Sequence, residues 1–196
     1  MRAYTRYGKR GFTLVELMIV VAIIGVLAAL AIFGVNRYLA SAKTSEAKNT
    51  LGAISRDAVA AYERETYANQ LLQDAQSSTA FMHQLCGSAA AAVPATPPAQ
   101  KKYQPSTADN ADFNTGDNVN GWKCLKFSMT QPIYYSYNYV TGTGSGLSGA
   151  TATGFEATAA GDLNGNGTAS LFARGADVRN GTVVLSTEIF IQNEYE

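Results

Sequence analysis

An α+β fold is predicted for this chain of 196 residues: a long N-terminal α-helix on a C-terminal antiparallel β-sheet, the helix's hydrophobic half protruding and its amphipathic half packed. Three observations predict it. A nearly unbroken apolar run fills residues 12–35, an amphipathic pattern with helical spacing occupies 36–67, and β-branched and aromatic runs cut by Gly, Asn and Pro occupy 122–196. Between helix and sheet, residues 68–121 start as a helical pattern and continue as irregular chain rich in Ala, Pro and Ser, which predicts a connecting surface loop.

Residues 1–11 carry Arg2, Arg6, Lys9 and Arg10 and no acid. The whole chain has 15 basic and 15 acidic side chains, so removing this segment leaves 11 basic against 15 acidic. That mild acidity, without a basic stripe, predicts no nucleic-acid contact.

The apolar run reads FTLVELMIVVAIIGVLAALAIFGV, 24 residues with Glu16 as the one formal charge. As a helix at ~1.5 Å per residue it is about 36 Å long, enough to cross a bilayer core. Basic residues precede it and the next is Arg37, a pattern that keeps the N-terminus cytoplasmic and exports the chain beyond Val35. A secretory signal peptide fits poorly, because the run is too long and no well-placed small-x-small cleavage site closes it. A buried core helix fits poorly too, because a chain of this size would struggle to cover so uniformly apolar a rod. An ordinary anchor leaves Glu16 unexplained. A carboxylate costs about 2.5–3.5 kcal/mol near the middle of a spanning helix and less towards its end, and such acids usually mark a site with a partner. Glu16 is therefore a candidate functional residue.

The string KRGFTLVELMIVVAIIGVLAALA resembles the class III signal and N-terminal helix of type IV pilins and their relatives the pseudopilins, closely over residues 8–35 and more loosely beyond. The features that carry the resemblance are a basic leader ending in Gly11, then Phe12, then Glu16 four residues on. It implies a prepilin in which a membrane-embedded prepilin peptidase cuts between Gly11 and Phe12, removing residues 1–11. It also implies N-methylation of Phe12 and retention of the apolar helix. The Phe12 amine would then carry a positive charge at the inner edge of the membrane. The Glu16 carboxylate, on the same helix face, could approach that amine or the amine of an adjacent subunit. In low dielectric each unpaired member of such a pair is costly, so Glu16 would act as a register mark in assembly. The proline common in the family near the end of this segment is missing: Ile32-Phe33-Gly34 stands there. Gly25 and Gly34, each about 1 kcal/mol less favourable in a helix than Ala, remain as the weak points for the local melting that the resemblance implies.

In residues 36–67, Ala47, Leu51, Ile54, Ala58 and Ala61/Tyr62 recur at steps of three and four, an apolar stripe expected to dock on the sheet. Glu46, Lys48, Arg56, Asp57, Glu63 and Arg64 are expected on the solvent side. Strands are expected in 123–130, 132–140, 154–163, 168–178 and 182–193, giving about four antiparallel strands. Tyr134, Tyr135, Tyr137 and Tyr139 crowd one of them and are expected to pack.

Cys86 and Cys124 are the only cysteines. In an exported domain a disulfide is the simplest reading, closing a loop of about 39 residues and contributing about 4 kcal/mol in the chain-entropy model. Family members commonly close a C-terminal loop with their cysteines; here no cysteine comes after Cys124, so that loop must be held otherwise. DLNGNG puts Asp162, Asn164 and Asn166 at positions 1, 3 and 5 of an EF-hand-like loop, with Gly167 sixth but Ala173 where the twelfth-position acid belongs. A hairpin turn is the favoured reading and a Ca2+ site the weaker one; no other cofactor or metal is expected. His83 is the single histidine, so no two-histidine chemistry can be assembled, and no enzyme is read here.

The leading functional reading is a pilin that polymerises through its N-terminal helix into a type IV pilus, with motility, adhesion or DNA uptake as family-level roles. Its implied partners are copies of itself, the prepilin peptidase, an assembly ATPase with its inner-membrane platform, and a secretin. It implies residence in the bacterial inner membrane, then in an extracellular fibre. The alternatives are a pseudopilin of a type II secretion system and a membrane-tethered binding protein.

Overall fold

The computed structural model describes residues 11–64, 83–142 and 153–196, and the chain divides into two compact units, Met1–Ala40 and Ser41–Glu196. Most of the expected leader, the beginning of the connecting segment and Met82 lie outside the described residues.

Helix α1, Leu14–Glu63, has no break at Gly25 or Gly34, and it belongs to the first unit up to Ala40 and to the second beyond it. In the first unit the helix is apolar on all sides. Its large side chains are all exposed, and even Val20 keeps half its surface open. A Cβ added at Gly25 or Gly34 would meet nothing. Among the described residues, α1 is the one helix long and apolar enough to cross a membrane.

In the second unit the expected stripe is buried: Ala47, Leu51, Ile54 and Ala58 completely, Ala61 and Tyr62 nearly so. These residues share one core with the sheet. The sheet is antiparallel throughout, in the order β1 (Ser136–Thr141), β2 (Phe155–Gly161), β3 (Ser170–Arg179) and β4 (Thr182–Leu185). A further strand, β5 (Phe190–Gln192), also pairs with β3. The register against β3 slips by two residues between β4 and β5, because residues 186–189 bulge out of the same edge.

Aromatic side chains fill the layer between helix and sheet. Tyr135, Tyr137 and Tyr139 are wholly buried at alternate positions, while Tyr134 is half-buried. Tyr139 packs on Phe155 at 5.5 Å between centroids, and Tyr135 meets Phe172 edge-on at 5.6 Å. Gly161 makes room for Tyr135, since a Cβ there would lie 2.5 Å from the ring.

Three expectations need correction. Residues 123–130 are not a strand: Gly121–Leu125 form a short helix, α2, ended by Lys126 in the left-handed region at φ 60°. Lys123 and Lys126 face outward three positions apart while Trp122, Cys124 and Leu125 are buried, which is helical spacing. The sheet therefore starts at Ser136, not near 122. Glu46 is not on the solvent side. Its Oε1 accepts the Tyr134 backbone N–H at 2.9 Å and the Tyr137 hydroxyl at 3.2 Å, tying helix to sheet. Arg64, just after the helix, donates to the Cys124 carbonyl at 2.6 Å instead of facing water alone.

The Cys86–Cys124 disulfide is formed and joins the connecting segment to α2. Beside it, Phe113, Trp122 and Phe127 make a cluster with centroids 5.1–5.5 Å apart.

Burial pushes the phenols of Tyr135, Tyr137 and Tyr139 above the usual tyrosine range, and the Glu46 carboxylate adds to this at Tyr135 and Tyr137. The folded state thus holds these protons more tightly than the unfolded one. The resulting stability is complete below the ordinary phenol pKa of about 10 and is lost as pH rises above it. An ultraviolet titration should show these tyrosines ionising only together with loss of circular dichroism. Ionisation of all tyrosines near pH ~10 with the fold intact would contradict this packing.

Candidate functional site: the N-terminus of the long helix

Gly11, Phe12 and Thr13 lead into α1 as non-helical chain, and Phe12 is 87% exposed. The first turn of any helix leaves backbone N–H groups without partners. Here Thr13 and Glu16 supply them reciprocally. Glu16 Oε2 accepts the Thr13 backbone N–H at 2.8 Å and its hydroxyl at 2.7 Å, while the Glu16 N–H donates to Thr13 Oγ1 at 3.2 Å. This is a capping box, with an acid in the first turn where the helix dipole favours one.

Thr13 was missed by the sequence reading, although T-x-x-E ahead of an apolar run is a helix-start signal. The consequence for Glu16 is specific. In a single chain its carboxylate already has a partner on its own turn, so it is not bare. Both bonds fall on Oε2, so an intermolecular partner either meets Oε1 or replaces the bonds to Thr13.

The DLNGNG loop is closed by its own backbone. Asp162 is buried; its Oδ1 accepts the Gly165 N–H at 2.6 Å and its Oδ2 the Gly167 N–H at 3.1 Å. Asn164 Oδ1 accepts from Asn166 N–H at 2.9 Å, and Asn166 Oδ1 from Thr168 N–H at 2.6 Å. The side-chain amides of Asn164 and Asn166 both donate to Glu196 Oε2. Ala173 is buried within β3, so nothing at that position offers a ligand. Among the described residues no group of three His, Cys, Asp or Glu side chains could hold a metal.

These contacts also show what holds the last residues without a second disulfide. β5 pairs with β3, Lys48 on the helix meets Glu194 at 2.6 Å, and Glu196 is gripped by the loop. His83 is exposed and stacks on Tyr62 at 5.7 Å, its Nδ1 lying 3.0 Å from the Tyr62 carbonyl in the last turn of α1. It serves as an end contact for the helix.

Comparison with known proteins falls on the same N-terminal segment. Residues 6–32 match the model of the prokaryotic N-terminal methylation motif. The chain is 62% identical over 46 residues to the type IV major pilin protein PilA of Myxococcus xanthus (strain DK1622), covering 24% of this chain and 21% of that protein. It is 54% identical over 44 residues to the fimbrial protein EcpC of Eikenella corrodens, covering 22% and 29%. It is 63% identical over 38 residues to the type IV major fimbrial protein FimA of Dichelobacter nodosus, covering 19% and 24%. The matches thus span between a fifth and three-tenths of the length of these relatives. No solved structure matches the chain.

The matched motif thus leads directly into the long helix, and a C-terminal antiparallel sheet follows. The N-terminal segment of this chain is similar to those of type IV pilins and fimbrial proteins.

Removing the buried acceptor of the DLNGNG loop should loosen the fold. Asp162→Ala leaves the Gly165 and Gly167 N–H groups without partners and should destabilise the second unit by about 1–3 kcal/mol in denaturant melts. An unchanged midpoint would mean that the loop contributes nothing to the fold.

Proposed function

We propose that this chain is a structural subunit that polymerises through its N-terminal helix into a type IV pilus, and that it is not an enzyme. The observation that carries this reading is an uncovered, all-round apolar helix whose first turn places Glu16 four residues after an accessible Phe12. Residues 1–11 are the leader, cut by a prepilin peptidase between Gly11 and Phe12, and the new Phe12 amine is methylated. Before assembly the helix sits in the inner membrane with its N-terminus cytoplasmic, the basic leader favouring that orientation. An assembly ATPase with its platform then moves it into a fibre that leaves through a secretin.

Glu16 gives the assembly step its direction. The Phe12 amine of an incoming subunit is a full positive charge, a stronger partner for the carboxylate than the neutral Thr13 donors. Exchange of the Thr13 bonds for that amine aligns one helix against the next. Motility, adhesion and DNA uptake are the roles open to such a fibre. A pseudopilin of type II secretion shares all of this chemistry, but the matched relatives are named as pilins and fimbrial proteins. A membrane-tethered binding protein would have no use for the cleavage site.

Intact mass of the purified protein should show loss of residues 1–11 and gain of one methyl group, and Glu16→Ala should be cut and inserted normally yet yield few or no fibres in sheared fractions. Normal fibre yield from Glu16→Ala would remove Glu16 from the assembly step; an uncut N-terminus would remove the pilin reading itself.

The DLNGNG loop is read as a turn that anchors Glu196 and holds its shape through side-chain oxygens that accept backbone N–H groups, without needing Ca2+. Thermal melts with and without a chelator should coincide. A fall in Tm on chelation would assign a Ca2+ site to Asp162, Asn164 and Asn166.

A further inference from the structure

We propose that Asn180 is a site of spontaneous modification, at which the side-chain amide is lost to water through a cyclic imide formed with Gly181. The site lies in the hairpin between β3 and β4 and stands apart from the assembly reading.

The reaction is an attack by the backbone nitrogen that follows an asparagine on that asparagine's own Cγ. An N–Cγ bond forms, the Cγ–Nδ2 bond breaks, and the peptide proton leaves with the amine as ammonia. Water then opens the imide at either carbonyl, giving aspartate or isoaspartate. The sum is asparagine and water going to a carboxylic acid and ammonia, with nothing oxidised or reduced. Glycine in the attacking position favours closure, because no Cβ obstructs the approach and the backbone turns freely.

The chain has four Asn-Gly pairs: Asn120-Gly121, Asn164-Gly165, Asn166-Gly167 and Asn180-Gly181. In the first three the attacking nitrogen is held. The Gly121 N–H donates to the Gly87 carbonyl at 3.0 Å, the Gly165 N–H to Asp162 Oδ1 at 2.6 Å and the Gly167 N–H to Asp162 Oδ2 at 3.1 Å. Their asparagine amides are held too, Asn120 by Asp117, and Asn164 and Asn166 by Glu196. These bonds fix both reacting groups, and they must break before the nitrogen can turn towards Cγ.

The fourth pair differs. Among the described residues no hydrogen bond reaches the Gly181 N–H or the Asn180 side chain. Arg179 pairs directly with Thr182, so Asn180 and Gly181 make up the whole turn. Both are exposed, with φ of 51° and 75°, and the space beside Gly181 is open. A two-residue exposed turn at the end of a strand pair opens locally at low cost, which lets Asn180 rotate into the closing geometry. Modification adds one carboxylate next to Arg179 in the chain, and isoaspartate lengthens the backbone inside the turn.

The test holds the full folded chain in detergent at mildly alkaline pH over days. Chromatography and mass spectrometry of its peptides then quantify asparagine, aspartate and isoaspartate at the four pairs. Asn180 should convert several-fold faster than Asn120, Asn164 and Asn166, with part of the product as isoaspartate and one heavy oxygen taken up from labelled water. In denaturant the four rates should draw together. Equal rates in the folded chain, or a faster reaction at another pair, would overturn the selection of Asn180. A lead for Asn180 that persists undiminished in denaturant would assign it to local sequence and overturn the role of the fold. Aspartate without isoaspartate would overturn the imide route.

Discussion

The constraint on which everything else depends is that residues 12–35 bury nothing. Sixteen large apolar side chains in this stretch are exposed in the structure of the single chain. Each is worth about 1.5–3 kcal/mol when fully removed from water, so a cover for all of them is worth tens of kcal/mol. No salt bridge, cap or turn among the described residues approaches that sum. Lipid is one cover and a bundle of identical helices is another. Because both are apolar, transfer between them costs little, and small polar terms can decide when and in what register it happens.

That is the setting in which Thr13 and Glu16 matter. A carboxylate in an apolar segment would ordinarily oppose insertion. The capping box lowers that opposition by giving the carboxylate two donors on its own turn while completing the helix start. Local neutral donors hold the acid adequately; a charged amine holds it better. The proposed assembly step turns on that difference.

The second unit solves a separate problem: it must fold around only the far half of the same helix. Glu46 ties helix to sheet, and three buried tyrosines fill the layer between them. The disulfide holds the connecting segment to α2, while Lys48 and the DLNGNG loop hold Glu194 and Glu196. The last residues are thus fastened by polar contacts where a second disulfide would otherwise be expected. The long helix, the buried stripe from Ala47 to Tyr62 and the cysteine pair were legible because each rests on spacing or on a count of one pair. Residues 123–130 were misread because so short a mix of large and polar residues fits a strand as well as a single helical turn, here ended by Lys126 in the left-handed region. Glu46 was misread because a charged residue beside an apolar stripe looks solvent-facing until a buried N–H needs an acceptor. The grip on Glu196 joins residues about 30 positions apart, and no local pattern announces it.

Electron cryomicroscopy of the sheared material bears most directly on the fate of the apolar helix. The account predicts a helical assembly whose centre is packed with residues 12–35 from many copies, Glu16 lying beside the Phe12 amine of a neighbouring subunit. Particles in which those residues face solvent, or an assembly built from the second unit alone, would contradict it.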